Sequence, residues 1–110
     1  MPENNYFKVC NIAELKESQG ERFLVNDTDI ALFKIDGKIY AINNVCPHKQ
    51  ANIMHEGFVE NGCVTCPLHG WTFEIATGNL LGGSRGLKSY PVKIEKDDIY
   101  VQVIPKELNW

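Results

Sequence analysis

The chain is short of most of the features that announce a function. No apolar run approaches the roughly 20 residues of a membrane-crossing helix, so no membrane span is expected. The start, MPENNYFKV, has neither a basic segment followed by an apolar one nor a twin arginine. A cytoplasmic protein is therefore expected, in a reducing compartment where cysteines more often bind metal than pair. Lysine and arginine form no cluster and the net charge is −3, which argues against nucleic acid as a partner. No G-x-G-x-x-G opens a helix, and no 2-His-1-carboxylate iron site stands out. There are no internal repeats and no linker. At 110 residues the chain reads as one domain, 1–110, large enough for one core without disulfide staples.

Short β-rich runs separated by turns make up most of the sequence. Tyr6–Val9, Glu21–Val25 and Ile30–Ile35 are strand candidates, and Asp36-Gly37 predicts a tight hairpin into Lys38–Ile42. Helix formers over Ile12–Ser18 allow a single helical turn ahead of Gly20. Glu60-Asn61-Gly62 marks a second turn, between Phe58–Val59 and Cys63–Thr65. In Trp71–Ile75 the apolar Trp71, Phe73 and Ile75 alternate with Thr72 and Glu74, and Thr77-Gly78-Asn79 ends the run. A last hairpin is expected from Tyr90–Ile94 and Ile99–Ile104 around Glu95–Asp98. The pattern predicts an all-β fold, an antiparallel sandwich or barrel. Residues from about 44 to 86 are turn-rich and weakly periodic, and read as a loop-built subdomain inserted between sheet strands.

What is abundant is soft ligands in one place. Residues 46–71 hold three of the four cysteines and all three histidines. Cys46-Pro47-His48 is a C-x-H and Cys66-Pro67-Leu68-His69 a C-x-x-H, with seventeen residues between His48 and Cys66. Each half offers one thiolate and one imidazole, and a proline after the cysteine stiffens the turn. Two metals suit two sulfurs and two nitrogens: a structural zinc, or a 2Fe–2S cluster with both thiolates on one iron and both imidazoles on the other. Zinc fingers usually keep Cys with Cys and His with His, whereas each half here pairs one of each. Side by side, two such loops can set the cysteines at one depth and the histidines at another.

This double half-site resembles the Rieske motif. "CPHKQANI", "CPLHGWTFEIATG" and "LKSYPVKIEKDDIYVQV" look like segments of soluble Rieske ferredoxins, and similar segments occur in the small subunit of NAD(P)H-dependent nitrite reductase. The resemblance covers roughly residues 6 to 104. It implies three small sheets with an inserted cluster-binding subdomain and one 2Fe–2S cluster. Cys46 and Cys66 would bind the buried iron, and His48 and His69 the outer one. It further implies a one-electron carrier, not itself an enzyme, taking electrons from a ferredoxin reductase to the terminal oxygenase of an aromatic ring-hydroxylating dioxygenase system. The alternatives are a nitrite reductase small subunit, docking on its large subunit, and a zinc-stabilised interaction module. A monomer is expected, with Lys49, Gln50, Leu68, Gly70 and residues 82–86 as a transient docking patch beside His48 and His69.

Absences also bear on the potential. High-potential Rieske proteins resemble C-x-H-x-x-C and C-x-C-H, whose extra cysteines form a disulfide, and carry a serine after the H-G pair. Here Ala51, Leu68 and Trp71 hold those positions. Fewer hydrogen bonds to cluster sulfurs stabilise the reduced form less, so the low end of the Rieske range is expected, roughly −150 mV. Of the remaining groups, Cys63 reads as a buried small hydrophobe at a strand end, although C-x-x-C with Cys66 keeps the zinc alternative open. Cys10 reads as packing, His55 as a plain surface or loop histidine, and Trp71 as a cover over the cluster loop. Loop 80–86 is either an ordinary mobile loop or a close backbone approach to the cluster.

Overall fold

The computed structural model describes residues 6–45, 52–67, 71–80 and 86–103. Its strands in chain order are β1 (Tyr6–Asn11), β2 (Gly20–Val25), β3 (Thr28–Ile35), β4 (Lys38–Asn43), β5 (Phe58–Glu60), β6 (Cys63–Thr65), β7 (Thr72–Glu74), β8 (Ser89–Tyr90), β9 (Val92–Glu95) and β10 (Asp98–Gln102). They form three antiparallel sheets of order β1-β10-β9, β2-β3-β4-β8 and β5-β6-β7. None of them closes into a barrel, so of the two expected architectures the stacked sheets hold. The helical content of the described residues is two single 3₁₀ turns, Ile12–Glu14 and Met54–Glu56, and no helix among them is long and apolar enough to cross a membrane.

Turn chemistry explains the meander. Among the described residues, four two-residue turns have both central residues at positive φ: Asn26-Asp27 (50° and 65°), Asp36-Gly37 (53° and 80°), Asn61-Gly62 (52° and 77°) and Lys96-Asp97 (50° and 68°). Such turns match the right-handed twist of the strands they join. Asn and Asp tolerate this conformation because their short polar side chains bond locally, which is why Asn26-Asp27 turns without glycine. The single turn allowed within Ile12–Ser18 is the 3₁₀ turn Ile12–Glu14. Asn11 caps it, its Oδ1 accepting from the Ala13 N–H at 2.9 Å while its own N–H donates to the Glu14 carboxylate at 3.0 Å.

Strand β3 is the middle of the molecule. Ile30 and Leu32 pack into one core with Cys10, Leu15, Ile99, Val101 and Val103, whereas Ala31 and Phe33 pack into a second with Ile42, Met54, Val64, Cys66 and Phe73. All four of these β3 residues are inaccessible to solvent. Period-two alternation sends each pair to its own layer, and having a core on both faces explains why Ile30–Phe33 is apolar throughout.

The C-terminal reading needs two corrections. Tyr90 is not in the last hairpin: β8 pairs with β4 (Ala41 with Tyr90, Ile42 with Ser89), and Pro91 separates it from β9. Proline has no N–H for a ladder, so the chain leaves one sheet and enters another there. Ile94, expected on an alternating apolar face, is 42% exposed because β9 is the outer strand of its sheet.

Candidate metal centre

The third sheet, β5-β6-β7, is built wholly from residues between β4 and β8, within the 44–86 stretch that composition had set apart. Cys66 leaves the end of β6 and is fully buried in the second core. Its N–H donates to the Trp71 carbonyl at 2.8 Å, and just below, Thr65 pairs with Thr72 with their hydroxyls 3.0 Å apart. The β6–β7 hairpin is therefore closed on both sides of the C-x-x-H segment. Trp71 lies half-buried against the same core, which is the packing role expected of it.

The first half-site is framed in a comparable way. A bridge between Val45 and Asn52 closes the base of the segment carrying Cys46 and His48. A third segment, 81–85, also has a closed base: Asn79 bridges Gly86, and the Leu87 N–H donates to the Gly78 carbonyl at 2.6 Å. A Cβ on Gly86 would lie 2.1 Å from the Gly78 oxygen, so this glycine serves the crossing of two backbones.

Of the four expected ligands, Cys66 is among the described residues, and Cys46, His48 and His69 lie outside them. So do Lys49, Gln50, Ala51, Leu68, Gly70 and residues 82–85. Among the described residues no group of three or more His, Cys, Asp or Glu is disposed to hold a metal.

Sequence reasoning missed a polar network behind the first half-site. Asp29, at the start of β3, is nearly buried and takes Arg22 Nε on both carboxylate oxygens, at 2.9 and 3.0 Å. Asn44 donates to Asp29 Oδ1 at 3.1 Å, and Asn52 donates to Oδ2. Burial pushes the Asp29 carboxyl upward, but the hydrogen bonds from Arg22, Asn52 and Asn44, with the Arg22 charge, together hold it below the usual carboxylate range. Asn44 is fully buried: its N–H donates to the Asp29 carbonyl at 2.9 Å, and its own carbonyl accepts from Ile53 and Met54, each at 3.1 Å. Its Oδ1 accepts the His55 N–H at 2.6 Å and lies 3.1 Å from His55 Nδ1.

His55 is accordingly no plain surface histidine. Its side chain is 22% exposed, with Nε2 3.6 Å from a Glu56 carboxylate oxygen. Only polar residues interrupting apolar strands, at Asp29 and Asn43-Asn44, hinted at this network. Cys10 packs in the first core as expected, whereas Cys63, expected to be buried, is only half-buried, because it starts β6 opposite Glu60 and Glu74.

The donor set fits a cluster of mixed ligation. Of the two thiols and two imidazoles that the half-sites offer, the Cys66 thiol is held out of water in an apolar layer. Two thiolates on one iron and two imidazoles on the other give an oxidised centre of zero net charge, which four thiolates would make doubly negative.

Comparison with known proteins points the same way. A family model for the Rieske-like [2Fe-2S] domain matches residues 5–102. The 3-phenylpropionate/cinnamic acid dioxygenase ferredoxin subunit of Photorhabdus laumondii subsp. laumondii is 40% identical over 98 residues, 86% of this chain and 91% of that one. The ferredoxin component of the naphthalene 1,2-dioxygenase/salicylate 5-hydroxylase systems of Ralstonia sp is 37% identical over 93 residues, covering 83% and 88%. A solved chain described as an NADH-dependent nitrite reductase small subunit from Mycobacterium tuberculosis superposes with a TM-score of 0.85 at 25% identity, covering 91% of this chain and 96% of its own.

Proposed function

This chain belongs to the Rieske-like [2Fe-2S] family and carries one Rieske 2Fe–2S cluster; from that premise we propose that Cys46, His48, Cys66 and His69 hold it and that the protein is a free one-electron carrier. The observation that carries this reading is the pair of half-sites in a chain whose relatives are named as ferredoxin components over nearly their whole length. When bound, the cluster would accept and release a single electron. The protein's own residues do the rest. Cys46 and Cys66 would hold one iron, and the second core excludes water behind Cys66. His48 and His69 would hold the other iron and give the electron its route.

The donor is a ferredoxin reductase and the acceptor the oxygenase component of an aromatic ring-hydroxylating dioxygenase. Docking beside His48 and His69 is weak and transient, and the carrier is a cytoplasmic monomer with no catalytic step of its own. Residues 1–110 form one domain in which about 44–86 is the cluster-binding part. The resemblance to the nitrite reductase small subunit sustains a second reading, a subunit of a larger complex.

Reconstitution tests the carrier. The purified protein should be red-brown, EPR-active once reduced, and able to restore turnover to a dioxygenase system deprived of its ferredoxin. Failure to restore turnover, with native protein eluting on a large sirohaem partner, would favour the subunit reading. His48→Ala and His69→Ala should each abolish the cluster; retained iron with an unchanged visible spectrum in both would defeat the ligand assignment.

A further inference from the structure

Two polar side chains on one carboxylate hold the two ends of the segment that bears Cys46 and His48. Asn44 precedes it and Asn52 follows it, and each donates a side-chain N–H to a different oxygen of Asp29, whose other face is clamped by Arg22. Asp29 is an ordinary β3 residue, paired in the ladder with Leu24, so the anchor is part of the rigid middle sheet. The backbone adds the Val45–Asn52 bridge and the two N–H groups of Ile53 and Met54 on the Asn44 carbonyl. Among the described residues no buried side-chain nitrogen or oxygen is left without a partner, so the network is complete as it stands.

We infer that Asp29, Asn44 and Asn52 are positioning residues for the cluster, clamping both ends of the first ligand segment so that Cys46 and His48 are presented together. The inference rests on the ligand reading above. A bound cluster leaves a protein when its ligands come apart, and a clamp at the segment's base opposes that separation. Groups that orient metal ligands from behind typically matter 10–100-fold in metal retention.

The test is the rate of iron release to an excess of a ferrous chelator, followed by loss of the visible spectrum well below the melting temperature. Asn52 is exposed apart from its hydrogen bond, so Asn52→Ala should fold and should lose its cluster about tenfold faster than the parent. Asn52→Asp sets a second carboxylate against Asp29 and should lose it faster still. Val101→Ala, in the other core, serves as a control for general destabilisation and should change the rate little even where its melting temperature falls further. The EPR spectrum of reduced Asn52→Ala should also broaden, a signature that lower global stability does not produce. Unchanged release in both Asn52 variants, or equal acceleration in Val101→Ala, overturns the inference. A Cys46→Ala protein that keeps its cluster would overturn the ligand reading instead.

Discussion

The carbonyl oxygen of His55 occupies the space where a side chain on Gly20 would begin. A Cβ there would come within 2.5 Å of that oxygen and 2.7 Å of the Phe33 ring. The first residue of β2 is thus pressed directly against the 3₁₀ turn that follows the C-x-H segment, and the middle sheet and the 44–86 stretch share a contact with no slack. Gly20→Ala should cost about 1–3 kcal/mol, because both neighbours are backbone or buried ring and neither can move aside freely. A melt followed by far-UV circular dichroism would register this as a fall of several degrees; an unchanged midpoint would contradict the contact.

Met54 is the other point where that turn meets the sheet. It is fully buried in the second core beside Phe33, Val64 and Cys66. Met54→Ala should destabilise the fold by about 2–5 kcal/mol through the cavity it leaves. Leu24→Ala, at a site 69% exposed on β2, should change stability by less than about 0.5 kcal/mol. Urea titration of both variants checks the contrast, and similar losses would mean that the second core has been drawn wrongly.

Cys10 gives the protein an alkaline dependence. Burial first, then repulsion from Glu14 and Glu21, pushes its thiol up to about 11 from an ordinary 9.0. The folded state holds the proton more tightly than the unfolded one. Its contribution is therefore fully present below about pH 9 and is lost as pH rises toward 11. Between those values the stability gap separating the parent from Cys10→Ala should narrow by roughly 2–3 kcal/mol. Parallel pH profiles for the two proteins would refute this.

Asp29 acts in the opposite direction. Its carboxyl is held below its ordinary value, so the stability it contributes is present above the normal carboxylate range and is lost as pH falls through its folded value. Asp29→Asn should be less stable at neutral pH and should show a shallower acid limb. Acid titration by circular dichroism distinguishes this from a variant that is merely weaker at every pH.

For the redox centre, the midpoint should fall at the low end of the Rieske range, roughly −150 mV, because Ala51, Leu68 and Trp71 replace the extra cysteines and the serine of high-potential relatives. A potentiometric titration with EPR detection measures it directly. A midpoint above zero would defeat the argument.

Much of this protein was legible along the chain because the relevant signals are local. Asp36-Gly37 and Asn61-Gly62 turn where they were expected, since the residues that tolerate positive φ stand at the turn itself. The alternation of Trp71, Phe73 and Ile75 reported a half-buried strand correctly. Asn26-Asp27 was harder to see, lacking glycine, and Tyr90 was misplaced because Pro91 divides two sheets rather than interrupting one.

The two Cys/His half-sites and their spacing are set by sequence alone, since a pair two or three residues apart needs only a turn to bring it together. The clamp behind the first half-site was decided by the tertiary structure. Arg22, Asp29, Asn44, Asn52 and His55 are unremarkable polar residues until the β2-β3-β4 register places Asp29 beside Arg22 and Asn44. Hydrogen bonds reach about 3 Å, and only a folded sheet brings residues 15 and 23 positions apart within that distance of one carboxylate.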